Sequence, residues 1–166
     1  VSTIHAIHRS FGRASAAVPV VVRVVIGIIM ATHGWQKLTQ MGAANFGNGM
    51  LADLGVPLPG VMGHVVTWLE LVGGIALVVG FLTRASAAVL AVVLAGATVL
   101  VKVDLGLIAG MGAPLPGAEL DLALLVGLFV SVVMGPGRPS LDHLLGLEDT
   151  TTVVVDVSDR AATPVG

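Results

Sequence analysis

Four stretches, residues 18–38, 61–82, 85–101 and 117–134, run almost unbroken through Val, Ile, Leu, Ala, Gly and Met. A helix needs about 20 predominantly apolar residues to cross the hydrocarbon core of a bilayer. Backbone groups in lipid must be satisfied within the segment, so runs of this length read as helices. The rest of the composition agrees. Of 166 residues, 55 % are hydrophobic and 11 % charged, against roughly a quarter charged in a soluble domain. The expectation is an all-α integral membrane protein, a four-transmembrane-helix bundle. The third stretch is short and would stand nearly upright.

Glycine and proline punctuate the gaps, and only Thr83 and Arg84 separate the second and third stretches, which predicts a tight helical hairpin there. Two gaps end alike, in Gly55-Val-Pro-Leu-Pro-Gly60 and Gly112-Ala-Pro-Leu-Pro-Gly117. The helices that follow close on Gly80-Phe-Leu-Thr-Arg84 and Gly135-Pro-Gly-Arg138. A duplicated helical hairpin would give this repeat; so would convergent turn chemistry, since Pro suits a first helical turn and Gly punctuates loops.

Three segments follow: residues 1–17 as a cytoplasmic N-terminal segment, 18–145 as the membrane domain, and 146–166 as an acidic cytoplasmic tail. The tail carries Glu148, Asp149, Asp156 and Asp159 without helical periodicity, a composition that favours disorder. Its Thr-Thr-Val-Val-Val-Asp-Val run at 151–157 offers the alternative of a strand paired with a partner. Arg9, Arg13, Arg84 and Arg138 fall on one side of the expected spans, Lys37 and Lys102 on the other. The positive-inside rule then places both termini in the cytoplasm and both long loops outside. The first stretch is too long for a signal-peptide core and ends in polar residues instead of a small-residue cleavage site.

A formal net charge of -2 and the lack of a basic tract give no electrostatic case for nucleic acid. There is no cysteine among the 166 residues, which removes disulfides, thiolate metal sites and thiol catalysis from them. A redox role would need a bound molecule, such as a quinone, or a partner.

Helices in lipid associate through small residues, with polar side chains as glue. Gly63, Thr67, Glu70 and Gly74 form such a line on the second stretch, and Glu119, Ala123, Gly127 and Ser131 one on the fourth. The third offers Ala87, Ala91 and Ala95. Glu70 lies ten residues beyond Gly60, about 15 Å at 1.5 Å per residue, near the middle of the bilayer. Arg23 sits near the opposite end of the first stretch, where it can snorkel. Both read as structural intramembrane charges, joined in an ion pair or bonded separately to backbone and water. Arg84 and Arg138 read as topology anchors. His33, Gln36 and Lys37 lie at a level similar to His64, Lys102, Glu119 and Asp121, so each stretch contributes a polar group near the outer mouth. These seven are the candidate ligand-binding residues, with Glu119 and His33 the best catalytic candidates. The plainer reading has Lys37 neutralising Glu119, the acidic pair favouring a helix N-terminus, and Trp35 and Trp68 anchoring the interface. Metal binding by His33, His64 and Glu119 lacks ligand spacing on any one helix, and no metal is expected.

The ordered set Arg23-x-x-x-Gly27, His33-Gly34-x-Gln36-Lys37, Gly55-x-Pro57-x-Pro59, Glu70-x-x-Gly73-Gly74, Gly80-x-x-Thr83-Arg84 and Gly135-Pro-Gly-Arg138-x-Ser-Leu-Asp142 resembles the DoxX family. The likeness covers residues 20–145. It implies a four-helix membrane protein of bacterial or archaeal type, in a bacterial inner membrane, similar to the membrane subunit of thiosulfate:quinone oxidoreductase. It also implies assemblies with soluble proteins such as a superoxide dismutase and a sulfurtransferase. Many relatives carry histidine where Lys102 stands, and the acidic-aromatic pair that opens the fourth helix reads Glu119-Leu120 here. Two functions follow: a membrane subunit of a redox or oxidative-stress system that binds quinone or a small redox molecule at the outer end, or a non-catalytic scaffold that docks soluble oxidoreductases. A transporter is a weaker third, since four helices leave little room without a homo-oligomer.

Overall fold

The structure, a computed structural model, describes residues 2–113 and 117–147, with side chains from residue 17 onward. All regular elements among these residues are helical. The tail from 148 onward, with its expected disorder or strand pairing, lies outside the described residues.

Helix α1 spans Ser2–Gln36, continuous with the segment expected before the membrane domain, and widens into a π-helical turn at Lys37–Met41. Short α2, Ala43–Phe46, leads into a second π-helical turn, Gly47–Leu51. Helix α3 spans Pro59–Val79, α4 Thr83–Lys102, α5 Glu119–Met134 and short α6 Leu141–Leu144. Three segments among the described residues are long and apolar enough to cross a membrane: Ala17–Met41, Pro59–Val79 and Thr83–Leu105. The third is thus longer than its sequence limits. Helix α5, with 16 residues, is shorter than the expected 117–134. The amides of Ala118 and Glu119 donate to the carbonyls of Gly106 and Leu107, which holds the approach to α5 in a non-helical turn. The second span ends earlier than expected because Gly80, at φ 71, terminates α3 in the left-handed conformation.

Around the bundle the neighbours are α1 with α3, α3 with α4, α4 with α5, and α5 with α1. Ile26, Met30, Leu77, Ala87, Leu90, Leu94, Leu124 and Leu128 fill the centre. The α1–α3 interface is the most extensive, and small residues make it so. A Cβ on Gly27 would stand 2.7 Å from the Gly74 carbonyl oxygen, closer than any side chain can come. Through the middle of every long helix the outward face is apolar, as with Val25 and Ile28, Val72 and Ile75, Val92 and Val99, and Val126 and Phe129. Such a perimeter is unfavourable in water and suited to lipid: the chain is an all-α membrane protein in a bilayer.

The α3 line of Gly63, Thr67, Glu70 and Gly74 is buried as expected. On α4 the buried line is Thr83, Ala87, Leu90 and Leu94, so Ala91 and Ala95 flank it. On α5 it is Asp121, Leu124, Leu128 and Ser131, whereas Glu119 and Ala123 are exposed. The physical reason is geometric. Each step of four residues advances a helix 400°, so a strict step-of-four line drifts by 40° per step and leaves the packing face.

Candidate functional site

Arg23 on α1 and Lys37 in the turn that follows it have separate surroundings. At one end Arg23 is 2 % exposed. Its Nε donates to the Pro136 carbonyl at 2.7 Å, and Nη1 to the carbonyls of Leu77 at 2.8 Å and Val78 at 2.6 Å. Nη2 donates to the Pro139 carbonyl. The guanidinium therefore binds carbonyls at the end of α3, that of Leu77 also accepting from the Gly80 amide at 3.1 Å, and a cation there complements the helix dipole. Of the two structural arrangements open to Arg23, this is the one with separate backbone bonds; Glu70 pairs elsewhere. Arg84 does the same for α5, donating through Nη1 to the carbonyls of Val132 at 2.6 Å and Val133 at 2.9 Å. Arg138 is exposed.

Glu70, at mid-length of α3 and 4 % exposed, accepts from Lys37 Nζ. The turn that follows α1 carries Lys37 inward, and its ammonium also lies 5.1 Å from the Phe46 ring centroid, within cation–π range. Lys37 thus pairs with Glu70 and not with Glu119. A second pair stands between α4 and α5: Lys102 Nζ donates to Asp121 Oδ1 at 2.8 Å, and Thr98 Oγ donates to Asp121 Oδ2 at 3.1 Å. Helices α1 and α4 both end at this side of the bundle. In each half an arginine on the first helix covers the end of the second, and a lysine reaches a carboxylate on it.

The other residues named from the sequence face outward. His33 Nδ1 lies 3.0 Å from the Ile29 carbonyl and His64 Nδ1 2.9 Å from that of Gly60. A carbonyl only accepts, so each of these nitrogens carries the ring proton. Both histidines, Gln36 and Glu119 are exposed. Among the described residues no three His, Asp or Glu side chains stand close enough to hold a metal ion.

Between α3 and α4, beneath the α2 segment, lies a pocket of about 430 Å³. Its walls are apolar: Phe46, Met50, Leu51 and Leu54 above, Val65, Val66 and Leu69 on α3, Val93, Ala97 and Leu100 on α4. Its charged lining groups are Lys37 and Glu70. The volume falls within the range of small-molecule sites, and an apolar cavity with a few placed polar groups is their usual form. Sequence reasoning grouped Lys37 with its chain neighbours and set Glu70 aside as structural. Their pairing spans 33 residues of chain and depends on how the end of α1 turns, for which no local signal exists. Asp142, quoted from the sequence only within a family motif and given no role there, is 1 % exposed and accepts from the amides of Leu82 at 2.6 Å and Thr83 at 2.9 Å, capping α4 from another element.

The DoxX family model matches residues 18–103. An uncharacterized membrane protein of Mycobacterium tuberculosis, Rv3486, is 31 % identical over 136 residues, which cover 78 % of this chain and 82 % of the relative. The inner membrane protein YqjF of Escherichia coli is 34 % identical over 125 residues, 75 % of this chain and 89 % of that one. The "Putative oxidoreductase CatD" of Bacillus subtilis is 34 % identical over 106 residues, 63 % and 69 % respectively. No solved structure gives a significant match. On the extent of the family match and the coverage of these relatives, the chain belongs to the DoxX family.

Proposed function

We propose that this chain is the membrane subunit of a redox system and binds a quinone, or a similarly shaped redox molecule, in the pocket headed by Lys37 and Glu70. The observation that carries the reading is the pairing of an apolar slot with one half-buried donor, Lys37, and one buried acceptor, Glu70. A quinone needs those features: apolar walls for its ring and tail, a donor for a carbonyl, and a group that exchanges protons. Lys37 would donate to a ring carbonyl and Glu70 would pass a proton. Reduction of the ring takes up two electrons and two protons, and the electrons would come from a partner protein. His33 and Glu119 do not line the pocket, so the proton-handling role falls to Glu70 in this reading. The oxidoreductase label in the name of CatD is consonant with it.

The accompanying topology has α5 as a fourth span, supported by its outward stripe Leu122, Val126, Phe129 and Val133. Arg84 and Arg138 would face the cytoplasm together with both termini, in a bacterial inner membrane such as the name of YqjF states for that protein. The matching arginine and lysine roles in the two halves support a duplicated hairpin.

Calorimetric titration of protein in lipid nanodiscs with a short-chain benzoquinone tests the reading. A Cβ at Gly96 would meet nothing within 4 Å, so Gly96→Leu fills the pocket without displacing backbone. Saturable binding by the parent, weakened about tenfold or more in Gly96→Leu and in Glu70→Gln, is expected. Equal affinity in all three proteins would sink it.

A further inference from the structure

We infer that the pocket is loaded sideways from the bilayer, between α3 and α4, and that its ligand is a lipid-phase molecule with an uncharged polar head and a chain that remains in the membrane. This rests on the pocket being the ligand site proposed above. The first observation is where the cavity is closed. Phe46 and Leu51, both buried, roof it on the loop side, with Met50 at the roof's edge 39 % exposed. That roof is pressed onto the start of α3: a Cβ on Gly63 would fall 2.6 Å from Gly47 Cα, and one on Gly60 2.8 Å from Asn48 Oδ1. A soluble ligand would have to unseat this segment.

The second observation is where the cavity is open. Helices α3 and α4 lie close near their connecting turn, where a Cβ on Gly73 would stand 3.2 Å from Leu90 Cγ. Further along, the cavity separates them. Val92 is 74 % exposed and Val65 40 % exposed, and both line the cavity while facing the outside of the bundle. Val92 is nine residues from Thr83, about 14 Å along α4 and close to mid-bilayer depth. The opening therefore faces hydrocarbon.

The third observation is charge. Lys37 and Glu70 neutralise each other, and the other lining residues are apolar. An anionic head would meet the Glu70 carboxylate and a cationic one the Lys37 ammonium, each among apolar walls that screen charge poorly. A neutral head that both donates and accepts fits without an unpaired charge. The slot then admits a chain that trails past Val65 and Val92 into lipid.

Stopped-flow binding from vesicles to protein in nanodiscs tests this with two probes, a decyl-chained benzoquinone and its chain-free ring. The parent should bind the chained probe more tightly. Val92→Trp, and independently Val65→Trp, should slow association of the chained probe about tenfold. Ala52→Trp, on the exposed outer surface of the roof, should leave the rate unchanged. Slowing by Ala52→Trp but by neither portal variant would place entry on the loop side and overturn the inference while leaving the quinone reading intact. Equal affinity for the two probes would overturn the membrane-held chain. Binding of neither probe by the parent would overturn both this inference and the quinone reading.

Discussion

Arg23 and Asp142 hold one turn from its two sides. Arg23 binds the carbonyls of Leu77 and Val78 that end α3, and Asp142 binds the amides of Leu82 and Thr83 that begin α4. Each charge complements the dipole of the helix end it meets, positive at the carbonyls and negative at the amides. Between them Gly80 has φ 71 and Leu82 φ 44, and the latter is a conformation that an L side chain seldom adopts. The Asp142 carboxylate supplies the compensation, through charge-assisted bonds at both ends of the Leu82–Thr83 peptide pair.

Asp142→Ala should therefore be among the most destabilising single changes in the chain. It leaves two amides without their acceptor and frees Leu82 to relax, for a loss of about 2–4 kcal/mol. Asp142→Asn keeps one accepting oxygen and should lose less. Reversible unfolding in mixed micelles, followed by circular dichroism, gives the order; an alanine variant as stable as the parent would remove Asp142 from this role.

Arg23→Lys tests the fork geometry. The guanidinium reaches four carbonyls on two separate segments, whereas an ammonium has three donors at one point. The variant should keep the charge yet lose about 2 kcal/mol or more, read as a lower unfolding midpoint in the same micelles. Full stability would mean that charge alone is what this position needs.

The limits of sequence reading follow from the solvent. In water, hydrophobic periodicity marks the buried face of a helix; in lipid the outer face is as apolar as the inner one. The faces that were legible carried small or polar residues at alternating steps, as with Gly63, Thr67, Glu70 and Gly74. On α5 the strict step-of-four line from Glu119 misled, because Asp121 has a partner across the interface in Lys102 and Glu119 faces outward. The α3–α4 turn was legible from Gly80 and Arg84. The pocket was not, since it arises from the separation of two helices and the return of Phe46 over Lys37, both tertiary events.

Glycine substitutions separate contact from cavity. Gly27→Leu must push α1 away from the Gly74 carbonyl and the Val78 backbone, each under 3 Å from the added Cβ. Overpacking of this kind costs about 1–3 kcal/mol, occasionally more. Gly96→Leu meets open space and should unfold within a degree or two of the parent, apart from the ~1 kcal/mol gain in helix propensity. Thermal scans of the two variants side by side check this, and equal destabilisation of both would contradict the close α1–α3 approach.

The pair heading the pocket allows stability and binding to be separated. Lys37→Met leaves the buried Glu70 carboxylate without its partner. Breaking a fully buried pair costs about 3–5 kcal/mol and a half-buried one less, while replacing both members with apolar residues is often neutral or stabilising. The double variant Lys37→Met, Glu70→Leu should therefore unfold nearer the parent than Lys37→Met alone does. A purely structural pair predicts that the double variant, once refolded to parental stability, still binds whatever the parent binds. A pair that receives the ligand head predicts restored stability with binding lost. Unfolding midpoints and benzoquinone titrations on the same three proteins distinguish the two, and recovery of both properties together would reduce Lys37 and Glu70 to scaffold.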